Sequence, residues 1–304
     1  MDIFIFIISM GALIYGADFI IEESEKIALH FDISPFIIGA TLIALGTSLP
    51  EMAVSMSASM QGSGDIAVAN VIGSTIFNIA LVLGAVFLIS NVNPKRDLFA
   101  QDSAWALFPI LIFILMGIDG VLSKLDGFIF LALMGAYLMF LIQSNQVEEI
   151  ETQIEKDKFP WAKTIGLLTI GFIFVVGGAN FAIDSAGNIA RDFGVSEWII
   201  GLFLVAFGTS LPELTVSIKA ARANNADMAI GAIIGSNVAN FTMVLGLSSI
   251  INPLNVDLSK NFFDIAAALI VTIMLVFITA NKLYNKSAGI VLMSVLALVI
   301  SNSF

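Results

Sequence analysis

The chain has 304 residues, of which 58% are hydrophobic and only 12% charged, with a mean hydropathy of +0.98 and a net charge of −11. A soluble domain carries roughly 25% charged residues, so the composition argues against a soluble protein. The acidic balance gives no support to nucleic-acid binding. The absence of cysteine excludes disulfides, thiol catalysis and Cys-based zinc sites.

Ten apolar segments follow one another, at about 3–22, 35–60, 66–90, 100–117, 125–143, 163–185, 197–221, 227–250, 262–281 and 287–303. Most are long enough to cross a hydrocarbon core of about 30 Å. All are expected to be helices, since uniformly apolar runs do not show the alternation of barrel strands. The first runs into Glu22, Glu23 and Glu25 without a cleavage site, so it is expected to be a retained span. His30, the one histidine, is expected at the interface near that span's end. The polar stretch from Gln143 to Lys158, with its acidic tract Glu148 to Asp157, separates a first half, 1–143, from a second, 163–304, through a linker at 144–162.

The halves repeat each other. With a shift of 162 residues, 35–84 and 197–246 share 23 identities in 50 ungapped positions. Gly46-Thr47-Ser48-Leu49-Pro50-Glu51 falls on Gly208-Thr209-Ser210-Leu211-Pro212-Glu213. Gly39 falls on Gly201, Asp65 on Asp227, Gly73-Ser74 on Gly235-Ser236, Asn78 on Asn240 and Gly84 on Gly246. Five spans per half, an odd number, would make the second half enter the membrane from the opposite side. Loops after odd-numbered spans hold ten basic residues and the others three (Lys124, Arg191 and Lys260). That bias puts the odd loops in the cytoplasm and both termini outside. The expected fold is an all-α membrane protein of ten helices in two inverted five-helix repeats, an architecture common among secondary transporters.

The chemistry lies in the second and seventh spans. Pro50 and Pro212 have no N–H, so the carbonyls of Gly46 and Gly208 lose their helical partners. Alone, that reads as an ordinary proline kink. Directly after each break, however, stands a glutamate, and an ionisable group at mid-membrane costs about 2.5–3.5 kcal/mol. The basic residues lie in or near loops, so a buried salt bridge is not evident and a bound cation is the natural partner. Thr47 with Glu51, Thr209 with Glu213, Ser74 with Asn78 and Ser236 with Asn240 are each four apart and expected to share helix faces. With Ser48 and Ser210 they make an all-oxygen inventory suited to a hard cation such as Ca²⁺ and not to a soft metal. Two carboxylates would be neutralised by one Ca²⁺ or two Na⁺. Left empty, they would repel, and one would tend to take a proton. A site that disfavours being empty suits an antiporter.

These motifs resemble the calcium/cation antiporter superfamily, and within it the prokaryotic sodium/calcium exchangers. The resemblance spans the ten-span layout; its specific part is the doubled Gly-Thr-Ser-Leu-Pro-Glu segment followed by Gly-Ser-x-x-x-Asn. It implies that Glu51 and Glu213 are the central Ca²⁺ ligands, shared with Na⁺. Thr47, Ser48, Ser74, Thr209, Ser210 and Ser236 would line Na⁺ sites, with the backbone carbonyls of Ala44 and Ala206, while Asn78 and Asn240 would close the centre. It further implies that the first and sixth spans, with their matched Gly16-Ala17 and Gly178-Ala179, slide past the other eight. Asp18 matches Asn180 and has no assigned role. Asparagine at both 78 and 240 resembles potassium-independent members. The proton/calcium members' motif, Gly-Asn-x-x-Glu, is in neither repeat, and the short linker leaves no room for the Ca²⁺-sensor domains of animal exchangers.

The implied activity is Na⁺/Ca²⁺ antiport in a prokaryotic plasma membrane, non-enzymatic, with the transported ions as the only ligands, no cofactor, and one chain sufficing. An antiporter for H⁺ or another cation on the same scaffold, or a cation channel, stays open. So does an intramembrane protease on the Gly62-Ser63-Gly64-Asp65 match to Gly-x-Gly-Asp, although no Tyr-Asp partner exists and a turn ending in a helix-starting aspartate accounts for it.

Overall fold

The computed structural model describes residues 2–90, 92, 94, 99–144, 159–192 and 208–303. In chain order its helices are α1 (Asp2–Phe31), α2 (Pro35–Thr47), α3 (Leu49–Met60), α4 (Gly64–Ile89), α5 (Phe99–Met116) and α6 (Lys124–Gln143). They continue with α7 (Trp161–Asp192), α8 (Leu211–Arg222), α9 (Ala226–Ile251), α10 (Phe262–Ala280) and α11 (Lys286–Ser303). Seven of these are long and apolar enough to cross a membrane, and eight if α2 and α3 form one broken span. Of the other two expected segments, 287–303 forms the shorter apolar helix α11, and 197–221 is described only from Gly208 onward. The acidic tract, most of the linker, Lys95, Arg96, Lys156, Lys158, Gly201 and Ala206 lie outside the described residues.

Two helices overrun their expected ends. α1 continues to Phe31 instead of stopping near 22, and α7 to Asp192 instead of 185. The change to charged sequence marks where the apolar run ends, not where the helix does. Glu and Lys are good helix formers, and Lys26 Nζ meets Glu23 Oε1 at 2.6 Å, one turn apart. Lys26, Lys163, Arg191, Lys219 and Arg222 accordingly stand on helices and not in loops. His30, in the last turn of α1, packs against Phe159 and Trp161 at ring-centroid distances of 4.3 and 5.3 Å, an aromatic cluster of the kind found at membrane interfaces. The expectation of helices alone misses a two-residue antiparallel ladder, Val121–Leu122 with Leu254–Asn255, in the connections after α5 and α9.

Burial sorts the helices into layers. The most apolar stretch of α9 is 94% buried and that of α4 67%, against 28% for α1 and α6. α9 is therefore the axis, and α1 and α6 lie at the lipid-facing edge.

The repeat is visible in the packing. α4 lies on α11 and α9 on α6. A Cβ added to Gly289 would come within 2.9 Å of the Gly84 carbonyl, and one added to Gly127 within 2.6 Å of the Gly246 carbonyl. These are one contact made twice, since Gly84 corresponds to Gly246 and Gly127 to Gly289. α1 and α7 run antiparallel and close: Gly16 abuts Gly171 and Val175, while Gly178 abuts Ser9 and Leu13. Those pairs also exchange under the 162-residue shift. The matched small residues of the two long helices are thus the points where their backbones meet.

Candidate ion site

The chain breaks at the same residue in both repeats. Ser48, at φ −80° and ψ 6°, separates α2 from α3, and Ser210, at φ −87° and ψ 3°, precedes α8. The bend between α2 and α3 is 46°. Pro50 and Pro212 then stand in a first turn, where a missing N–H costs nothing. Glu51 and Glu213 follow in that same turn, at the positive end of the helix dipole. Local sequence therefore delivers each carboxylate to a helix start inside the protein, where Glu51 is 0% and Glu213 2% exposed.

The hydroxyls do not pair as helical spacing suggests. Because the break falls between them, Thr47 and Glu51 do not share a continuous helix face. Thr47 Oγ1 instead donates to the carbonyls of Ile43 at 3.1 Å and Ala44 at 3.3 Å in its own helix. Ser48 Oγ faces Glu213, 3.4 Å from Oε1. From the other break Thr209 reaches Glu51. Ser74 Oγ donates to Glu51 Oε1 at 3.4 Å, and Ser236 Oγ to Glu213 Oε1 at 3.2 Å. Each glutamate thus draws one serine from its own repeat and a break-segment hydroxyl from the other. The hydroxyls also meet one another, Ser48 with Ser236 at 2.7 Å and Ser74 with Thr209 at 3.5 Å. Ser236 is the hub, for Asn78 Nδ2 donates to it as well, at 3.2 Å.

Polar atoms without partners converge here. Glu51 Oε2, Glu213 Oε2, Asn78 Oδ1, Ser210 Oγ and both side-chain polar atoms of Asn240 are buried and make no hydrogen bond. Buried polar atoms are ordinarily paired, and nearly all of these are oxygens able to accept. Among the described residues no Lys or Arg bonds either glutamate: Lys219 pairs with Asp18 at 2.8 Å, and Lys26 with Glu23. Asp18, unassigned from sequence, is therefore an ion-pair partner linking α1 to α8. No group of three or more His, Cys, Asp or Glu gathers among the described residues, so the two carboxylates stand among neutral oxygens. A hard cation fits this donor set. The Ala44 carbonyl accepts from Ser48 N at 3.0 Å and from Thr47 Oγ1, so a cation would share it. Ala206 lies outside the described residues.

Three features of the site escape the sequence reading. The backbone widens into π-helical turns at Gly39–Ile43, Phe77–Leu83 and Asn240–Val244, two of which contain or begin at the central asparagines. Such turns frequently mark functional positions. Asn70 donates from Nδ2 to the Glu51 carbonyl at 3.1 Å and to Ser55 Oγ at 2.9 Å, bracing the first turn of α3; its counterpart is Ala232. Asn237 Oδ1 accepts from Asn78 Nδ2 at 3.2 Å. The last two could have been flagged as polar residues in apolar spans where the other repeat carries Ala or Thr. Asp65, exposed in the first turn of α4 behind Gly62 at φ +76°, is the helix-starting residue that the turn reading expects.

Comparison with known proteins agrees with this architecture. The family described as sodium/calcium exchanger protein matches residues 1–143 and 163–304. An uncharacterized membrane protein of Methanocaldococcus jannaschii is 36% identical over 297 residues, covering 98% of this chain and 96% of its own. The sodium/calcium exchanger MaX1 of Methanosarcina acetivorans is 30% identical over 330 residues, with 95% and 94% covered. A structure of the sodium-calcium exchanger NCX_Mj superposes with a TM-score of 0.86 at 34% identity, covering 99% of this chain and 98% of that one. With both halves matched, this multi-pass integral membrane protein belongs to the sodium/calcium exchanger family.

Proposed function

We propose that the chain exchanges Na⁺ for Ca²⁺ across a membrane by alternating access, carrying both ions at the site between Glu51 and Glu213. The observation that carries this reading is the crossed pairing. Each buried glutamate faces a hydroxyl of the opposite repeat and keeps one oxygen without a partner. A cation held there would be gripped by both halves at once, and a relative shift of the halves would change its ligands. Ca²⁺ supplies two charges at one point and Na⁺ supplies them singly, so both can balance the same pair of carboxylates. Thr47, Ser48, Ser74, Thr209, Ser210, Ser236, Asn78, Asn240 and the Ala44 and Ala206 carbonyls complete the coordination.

The architecture belongs to the same proposal: ten spans in two inverted repeats, 1–143 and 163–304, joined by 144–162, with both termini outside a prokaryotic plasma membrane and a single chain as the working unit. The close, glycine-lined contact of α1 with α7 supports their moving as a pair. Proton coupling on the same scaffold is the alternative.

Radioactive Ca²⁺ uptake into proteoliposomes preloaded with Na⁺ and diluted into Na⁺-free buffer tests it. Uptake is expected to require the outward Na⁺ gradient and to vanish in Glu51→Gln and Glu213→Gln. Uptake that ignores Na⁺ and follows an imposed proton gradient would overturn the Na⁺ assignment.

A further inference from the structure

The two central asparagines occupy equivalent places but are held differently. The geometry points to Asn237 as the residue that fixes the Asn78 amide with its oxygen toward the ions, making Asn78 the pre-oriented ligand of the pair. This inference rests on the reading of Asn78 as a cation ligand.

A side-chain amide serves a cation only through its oxygen; its NH₂ group repels one. Which end faces the centre is decided by what the other end bonds. Asn78, 0% exposed, uses both N–H bonds on acceptors of α9, Ser236 Oγ at 3.2 Å and Asn237 Oδ1 at 3.2 Å. Ser236 Oγ can accept because its own hydrogen goes to Glu213 Oε1 at 3.2 Å. With its nitrogen satisfied, Asn78 keeps Oδ1 unpartnered and buried, as a ligand awaiting a cation must. Turning the Asn78 amide over would set its oxygen against Ser236 Oγ, whose hydrogen is committed to Glu213, and against Asn237 Oδ1 as it stands, and would point NH₂ at the carboxylates' cation. Asn237 itself is 1% exposed and its Nδ2 makes no hydrogen bond.

The other repeat lacks the device. The counterpart of Asn237 is Thr75, whose hydroxyl is spent on the Val71 carbonyl at 2.9 Å in its own helix. Correspondingly, neither polar atom of Asn240 has a partner. The centre therefore holds one amide fixed by its neighbours and one that they leave unfixed.

The test compares purified wild type with Asn237→Thr, Asn78→Ala and the double variant, following stabilisation against heat as Na⁺ is titrated. Threonine is the residue the fold already carries at the equivalent position, so Asn237→Thr is expected to fold. The unliganded melting temperature, read in the same scans, reports any loss of packing separately. Asn237→Thr is expected to raise the half-saturating Na⁺ concentration by about five-fold, the worth of one ordinary hydrogen bond. In the Asn78→Ala background the same change is expected to do nothing further, since an orienting residue has no effect once its target is gone. If Na⁺ stabilises the wild type and Asn237→Thr titrates like it, or if the two effects add, the orienting role is wrong while the ion site stands. If Na⁺ fails to stabilise the wild type, the ion-site reading falls, and this one with it.

Discussion

The two repeats share a backbone far more closely than they share side-chain wiring. Both break at a serine, both carry proline and glutamate in the first turn of the next helix, and the seat of α4 on α11 is repeated by that of α9 on α6. The polar fittings differ. Asn70 braces Glu51 where the second repeat has Ala232. Asn78 is held by Asn237 where Asn240 faces Thr75. Asp18 binds Lys219, while their counterparts, Asn180 and Ser57, carry no charge. The two long helices are not placed alike either: α1 packs along α8, whereas α7 makes no comparable contact with α3. In the proposed alternating-access cycle the two halves would exchange arrangements as access changes. A feature duplicated in both halves serves both states equally, and one present in a single half can favour one state over the other. Duplicated parts therefore read as ion chemistry and close packing, and unduplicated ones as bias.

Four sets of substitutions can break or sharpen that distinction. The largest effect is expected at the duplicated carboxylates: Glu51→Gln or Glu213→Gln should each weaken Ca²⁺ binding by at least about 100-fold, because one of two charges facing a divalent ion is lost. Isothermal titration would show it, and a variant that binds normally would remove that glutamate from the site. Next, Gly235→Ala should destabilise the protein by roughly 1–3 kcal/mol, since a Cβ there overlaps the Ala40 backbone and neither helix can give way cheaply; thermal melting in detergent measures it. Third, Ser236→Ala should weaken Na⁺ binding more than its counterpart Ser74→Ala. Ser236 serves Glu213, Ser48 and Asn78 together, whereas Ser74 has only long contacts to Glu51 and Thr209, at 3.4 and 3.5 Å. Equal losses would mean that the hydrogen-bond hub carries no weight. The smallest effect belongs to the unduplicated ion pair. Asp18 and Lys219 are 40% and 29% exposed, so a double-mutant cycle with Asp18→Asn and Lys219→Met should give a coupling of no more than about 1 kcal/mol. That pair is expected to alter the balance of access, read by asymmetric labelling from the two sides, more than ion affinity.

Much of this was legible in the sequence because it depends on residue type and spacing. The proline breaks, the glutamates behind them, the matched serines and asparagines and the doubling all survive intact from sequence to structure. What was not legible depends on direction in space. Thr47 and Glu51 look like neighbours at helical spacing, but the break at Ser48 intervenes: Thr47 bonds carbonyls of its own helix, and Ser48 turns to Glu213 of the other repeat. Periodicity holds only along an unbroken helix. The π-helical turns add residues to a turn without any sequence mark, which shifts Asn78 and Asn240 relative to a regular face. The overlong α1 and α7 were hidden because hydropathy reports the apolar slab and not the reach of the helix.

The exchanged glycine contacts carry one more consequence. Since α4 rests on α11 and α9 on α6, each half offers a surface complementary to the other half. The covalent tie between the halves supplies proximity, whereas recognition lies in those reciprocal seats. Two separately translated fragments, 1–143 and 163–304, are therefore expected to find each other in a membrane and complement in trans. Co-purification of the pair through a tag on one fragment would measure this. A clash engineered at Gly289 should then split the fragments even though the chain ends are untouched.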